Sequence, residues 1–154
     1  MEIRSLRSAE AHEARGLLED AFARTPYGAS PRLALNRALE AESDESLALG
    51  ACDGPRLVGL VLYGMVAGSR GAAKLHAVAV TAAARLQGVA AHMIDAAAAD
   101  LAARGARLVV AEAPDDPVMR PGLALLERSG FAVEGRVGDF YRDRVDLLLL
   151  RREL

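Results

Sequence analysis

Between Lys74 and Arg104 the chain passes from a strand pattern to a helix pattern through one short connection. Leu75-His76-Ala77-Val78-Ala79-Val80 is apolar enough for a buried strand. Thr81-Ala82-Ala83-Ala84-Arg85-Leu86-Gln87-Gly88-Val89-Ala90 follows, and then an Ala-rich segment in which Ala90, Met93, Ile94, Ala97 and Leu101 recur along one helical stripe. This is a strand, a tight connection and a helix N-terminus. The free N–H groups of such a helix end, together with its dipole, favour a phosphate or another anion. Gly88 and Ala90 carry no side chain large enough to block close approach, and Arg85 can supply a cation at the same mouth. The stretch predicts a phosphate or pyrophosphate cradle.

A chain of 154 residues fits one domain over residues 1–154 and can bury a substantial core. The apolar fraction is 52%, but much of it is alanine and no run approaches membrane-spanning length, so no membrane partner is expected. A net charge of -2 gives no broad field for nucleic acid. Cys52 is the single cysteine, which excludes an intrachain disulfide framework. Met1-Glu2-Ile3-Arg4 lacks the apolar segment of a secretory signal, which predicts a cytoplasmic protein. His12, His76, His92 and Cys52 do not reproduce a metal-site spacing, and the glycines form neither a P-loop nor a full dinucleotide fingerprint.

Elsewhere the chain alternates between helix and strand signals. Ile3 to Leu6 reads as a short strand, and Ser8 can cap a helix carrying Ala14, Leu17, Leu18, Ala21 and Phe22. Ser30-Pro31 is the expected N-cap and first position of a second helix running to about Glu42, closed by a solvated acidic turn, Glu42-Ser43-Asp44-Glu45. Leu47 to Ala51 and Leu57 to Val66 predict a hairpin around Asp53-Gly54-Pro55, with Gly59 and Gly64 marking close packing. Ala106 to Ala111 reads as a buried strand with Glu112 at its end. Pro121 opens a further helix, and solvation and turn formation account for Asp115 and Asp116.

Arg85-Leu86-Gln87-Gly88-Val89-Ala90, preceded by a strand ending in Val80, resembles the R/Q-x-x-G-x-G/A pattern of the GNAT superfamily of acyl-CoA-dependent N-acyltransferases. Glu112 to Phe131, with Leu126-Glu127-Arg128-Ser129-Gly130-Phe131, then Asp139-Phe140-Tyr141 and the strand Leu147 to Leu150, is similar to the C-terminal half of one group within it. The resemblance covers nearly the whole chain. It implies an α/β fold with a mixed, largely antiparallel sheet flanked by helices, in the order strand-helix-helix-strand-strand-strand-helix-strand-helix-strand-strand. It also implies acetyl-CoA as cofactor. Arg85, Leu86, Gln87, Gly88, Val89 and Ala90 would hold the pyrophosphate, and Val78, Ala79 and Val80 the pantetheine arm. The region of the first two helices would line the acceptor side, making Phe22, Tyr27 and Leu35 pocket residues.

The implied reaction is direct attack of a primary amine of a small molecule or peptide on the thioester, without a covalent enzyme intermediate. Backbone N–H groups near Ala79 or Val80 would polarise the carbonyl. His76, whose ordinary pKa suits a proton acceptor, is either a base or a polar cleft wall sharing a face with Val78 and Val80. Glu112 is either the base that takes the ammonium proton or the partner of Arg107 or another basic residue. Many members of the superfamily carry a tyrosine four residues before the Gly-Phe glycine to protonate the departing thiolate; this chain has Leu126. Tyr141, Tyr27 or water would then serve, or the thiolate would leave unaided, a thiol having a pKa of about 8.5. Two further readings stay open: a protein N-terminal amine acetyltransferase, and an acyl-CoA-binding regulatory module with little turnover. A homodimer is compatible with any of them.

Overall fold

The computed structural model describes residues 1–40 and 42–154. Its strands are β1 (Glu2–Ser5), β2 (Leu47–Asp53), β3 (Arg56–Met65), β4 (Ala72–Val80), β5 (Leu108–Pro114), β6 (Ala132–Arg142) and β7 (Val145–Glu153); its helices are α1 (Ala11–Phe22), α2 (Ala29–Glu40), α3 (Val89–Ala103) and α4 (Arg120–Arg128). The strands form one sheet in the order β1-β2-β3-β4-β5-β7-β6. Every neighbouring pair is antiparallel except β4 and β5, which run parallel. This is the expected mixed, largely antiparallel sheet flanked by helices.

Alternation along β3 divides the core. Val61 and Tyr63 join Met93, Ile94, Ala97 and Leu101 of α3, whereas Leu60 and Leu62 join Ala14, Leu17, Leu18 and Leu35 of α1 and α2. One face of the sheet thus removes the α3 stripe from water and the other the stripes of α1 and α2, at roughly 25 cal/mol per Å² of apolar surface. Among the described residues no helix is long and apolar enough to cross a membrane.

Two irregularities in β4 create the functional space. Leu62 pairs with Ala77 and Tyr63 with Leu75, which leaves His76 as an extra residue, a β-bulge. Leu75 consequently packs with the α3 cluster, while Ala77 and Ala79 pack with the α1/α2 cluster and Val78 and Val80 return to the α3 side. Strict alternation through His76 fails for this reason. The second irregularity is the end of the parallel ladder at Leu75 and Ala111. Beyond it, among the described residues, β4 pairs only with β3 and β5 only with β7, so the sheet opens as a wedge between the two strands.

Local expectations shift at several ends. Ser8 lies inside a single tight turn, where Glu10 rather than a serine hydroxyl accepts from the Arg7 N–H at 2.8 Å. Helix α2 begins at Ala29, with the Arg32 N–H bonded to the Gly28 carbonyl, so Ser30 is not its cap. Asp44 is not simply solvated: it pairs with Arg104 at 2.6 Å, and its carbonyl accepts from the Met65 N–H. The close-packing reading of Gly64 holds, since a Cβ there would fall on the Glu45 backbone.

Candidate active site

The entrance at α3 is built from backbone. Gly88, at φ +78°, turns the chain into the helix, a conformation that favours glycine because it has no Cβ. The first intrahelical bond runs from the His92 N–H to the Gly88 carbonyl, so the N–H groups of Val89, Ala90 and Ala91 precede it and have no capping side chain among the described residues. Leu86 also has a positive φ, 62°, and its side chain is fully exposed. Such a conformation is costly for a branched residue and here shapes the loop rather than a core. The Gln87 amide folds back onto the Ala83 carbonyl at 2.7 Å, while the Val89 side chain is buried. What the segment offers outward is therefore N–H groups and the exposed Arg85.

Within the wedge lies a cavity of about 340 Å³, lined by residues of both the α1/α2 and the α3/α4 sides. Lys74 and His76 of β4 and Glu112 of β5 line it, facing Phe22 and Tyr27; Leu126 of α4 and Tyr141 of β6 complete the wall. The cavity exists because β4 and β5 separate immediately before Glu112. Inside it the Lys74 Nζ lies 3.1 Å from Glu112 Oε1. Burial and the Lys74 ammonium hold the His76 imidazole below its ordinary pKa, so it favours the neutral form. Burial, with Glu112 and Tyr27 nearby, pushes the Tyr141 phenol up, so it keeps its proton.

Tyr27 of the cavity wall is tied to one carboxylate beside it. The Tyr27 hydroxyl donates to Asp116 Oδ2 at 2.6 Å, the Arg142 guanidinium donates to the same oxygen at 3.1 Å, and Asp116 Oδ1 accepts from the Val118 N–H. The Tyr27 bond, before the Val118 and Arg142 contacts, holds the Asp116 carboxyl below its ordinary pKa. Tyr141 stands edge-on to Tyr27, with ring centroids 5.3 Å apart, and Phe140 stands edge-on to Tyr141 at 5.0 Å.

The structure brings most of the predicted residues to the wedge, with corrections. Phe22, Tyr27, His76, Val78, Glu112 and Tyr141 line the cavity, whereas Leu35 is 1% exposed within the α1/α2 core and cannot meet an acceptor. Arg85 to Ala90 lie outside the cavity, at the α3 end. The side chains of Ala79 and Val80 are spent on opposite cores, leaving backbone as what they can present to a ligand. Glu112 is not at a strand end, because β5 continues to Pro114 on β7 alone. Its partner is Lys74; Arg107 instead donates to the Arg70 carbonyl. Asp116 is buried rather than solvated, while Asp115 pairs with Arg136. Sequence reasoning missed Lys74 and Asp116. A signal for Lys74 was in plain view, since it is the only lysine in a chain with eighteen arginines.

The residues fit an acyl-CoA. An uncapped helix end with outward N–H groups suits a pyrophosphate, the unpaired edge of β4 offers backbone bonding to an extended arm, and the wedge ends in a cavity holding a carboxylate. Comparisons with known proteins agree. The family model described as "Acetyltransferase (GNAT) family" matches residues 11–131. A search of curated proteins returns no match. Among solved structures, a GNAT-family protein from Desulfovibrio desulfuricans superposes with a TM-score of 0.90 at 22% identity, covering 99% of this chain and 98% of that one. Ribosomal-protein-alanine N-acetyltransferase from Brucella melitensis gives 0.78 at 20% identity over 100% of both chains. An aminoglycoside 6'-N-acetyltransferase complexed with coenzyme A gives 0.82 at 14% identity, covering 99% of this chain and 97% of that one. These likenesses establish the shared fold, and with the family match over residues 11–131 the conclusion is that the chain belongs to the GNAT acetyltransferase family and is an acyl-CoA-dependent acetyltransferase.

Proposed function

We propose that the chain transfers the acetyl group of acetyl-CoA to a primary amine of a small molecule or peptide, by direct attack within the wedge. The observation that carries this reading is the Glu112 carboxylate, set in the cavity wall immediately beyond the last β4–β5 pair. Bound acetyl-CoA supplies an activated acyl thioester. The protein's own groups do the rest. The N–H groups of Val89 to Ala91, with Arg85 beside them, bind the pyrophosphate, and the free edge of β4 from Val78 to Val80 aligns the arm. Glu112, with the neutral His76 as a second acceptor directly or through water, takes the proton of the incoming ammonium. Tyr141 keeps its proton and faces the same cavity, which favours it as donor to the leaving sulfur where Leu126 offers only an apolar wall. Phe22 and Tyr27 bound the acceptor side. Holding two reactants in one geometry is a large share of the work, so few side chains suffice.

The size and lining of the space support this acceptor class. A cavity of about 340 Å³ lined by Phe22, Tyr27 and Leu126 accommodates a small amine or the end of a peptide. A peptide α-amine, with a pKa near 8, would need less help from Glu112 than a lysine near 10.4. Leu126 favours one further reading, an acyl-CoA-binding module with little turnover. Release of CoA thiol from acetyl-CoA over a panel of small amines and peptides separates them. Amine-dependent release is the expected result; saturable acetyl-CoA binding with no release over the whole panel would replace the transferase by the module.

A further inference from the structure

Eighteen of the nineteen basic side chains outside histidine are arginines, and the one lysine stands in the active cleft. The choice has chemical content. A guanidinium stays charged and cannot act as an amine nucleophile, whereas an ε-ammonium that gives up a proton becomes one. Under the reading above, an acceptor amine must lie within about 2.6–3.2 Å of the carboxylate that deprotonates it. The Lys74 Nζ already does, 3.1 Å from Glu112 Oε1, on the strand whose free edge would align the thioester.

We propose that Lys74 is itself an acetyl acceptor, so that the enzyme modifies its own cleft when acetyl-CoA is bound and no better amine competes. This rests on the acetyl-CoA reading of the wedge. The Lys74 ammonium gives one proton to Glu112, and the neutral amine attacks the thioester carbon. The C–N bond forms as the C–S bond breaks; the remaining surplus proton on nitrogen passes to the leaving sulfur. The products are Nε-acetyl-Lys74, CoA thiol and one proton handed on from Glu112 to solvent. Acetylation removes the ammonium that neutralises Glu112 and puts an uncharged amide in its place. Self-modification therefore changes both the charge and the free volume of the acceptor site.

The test is intact-mass spectrometry of the purified chain incubated with acetyl-CoA alone, followed by peptide mapping. The guanidinium-unfolded chain at the same acetyl-CoA concentration measures uncatalysed acetylation. Addition of one acetyl group at Lys74, at least about tenfold faster in the native chain than in the unfolded one and slowed by about 10²-fold in Glu112→Gln, is the expected result. Calorimetric titration with acetyl-CoA separates the two ways of failing. If the native chain binds acetyl-CoA and acetylates added amines but Lys74 stays unmodified, or is modified no faster than in the unfolded chain, the self-acceptor inference falls alone. If it neither binds nor reacts, the acetyl-CoA reading falls with it. Modification confined to the Met1 α-amine also overturns the proposal.

Discussion

The two halves of the wedge are made of different material. The α3 entrance consists of main chain: a glycine at φ +78°, uncapped N–H groups and a side-chain amide folded back out of the way. The cavity consists of side chains drawn from α1, the turn before α2, the start of α2, β4, β5, α4 and β6. Main-chain recognition needs only one short segment to be correctly bent, and it tolerates any side chain that stays clear. Side-chain recognition needs distant segments to arrive together. The first half is therefore suited to a ligand shared by a whole family, and the second to an acceptor that differs from one member to the next.

If that division is real, substitutions should separate the halves. The largest effect is expected at Glu112→Gln, where steady-state kinetics should show kcat lower by about 10²–10⁴ while calorimetric affinity for acetyl-CoA stays within about a factor of two. Loss of affinity and turnover together would mean that Glu112 supports the cofactor half as well. The contribution of His76 is read from pH. Burial, and then the Lys74 ammonium, hold its imidazole below its ordinary pKa, so a rate that needs it neutral falls only at a more acidic pH than an unperturbed imidazole would impose. In His76→Gln that acid limb should disappear from the kcat/KM profile; an unchanged limb assigns the titration elsewhere.

Smaller effects sharpen the comparison. Arg85→Ala should weaken acetyl-CoA binding by roughly 1.4- to fivefold, in keeping with about 0.2–1 kcal/mol for an exposed ionic contact, and leave saturated kcat in place. A larger loss would mean that the entrance relies on its side chain more than on its backbone. Tyr27→Phe removes the hydroxyl bonded to Asp116 and should raise KM for the amine by roughly threefold without moving acetyl-CoA affinity. An unchanged KM would remove this tie from the acceptor half.

What could be read in the sequence follows the same line. The α3 entrance is local, since the seven consecutive residues from Arg85 to Ala91 carry it, and the strand, loop and helix periodicities announce it directly. The order of elements was legible too, partly from apolar stripes such as Met93, Ile94, Ala97 and Leu101 and partly from the family resemblance, above all for the last two strands. The cavity was legible only in fragments. Tyr27 and Asp116 are far apart in the chain, and nothing in either neighbourhood reveals that they share a hydrogen bond. The bulge at His76 is a property of the pairing of β3 with β4, so alternation within β4 alone assigns the wrong face. Leu35 has the same apolar character as the cavity residues; only the packing of α2 on β3 decides that it belongs to the core. Ser30-Pro31 is a sound helix-start pattern, but the helix starts slightly earlier because the Gly28 carbonyl accepts first.

The central claim is that the backbone at Gly88 to Ala91 holds acetyl-CoA independently of the acceptor side. Calorimetric titration of ligand-free protein with acetyl-CoA, in the wild-type chain, Glu112→Gln and Gly88→Val, tests it most directly. A valine at φ +78° costs about 1–2 kcal/mol or more, so single-site binding in the wild type, nearly unchanged in Glu112→Gln and weakened about tenfold in folded Gly88→Val, is the predicted result. Folded wild-type protein with no saturable binding at high micromolar acetyl-CoA, or affinity that follows Glu112 rather than Gly88, would contradict it.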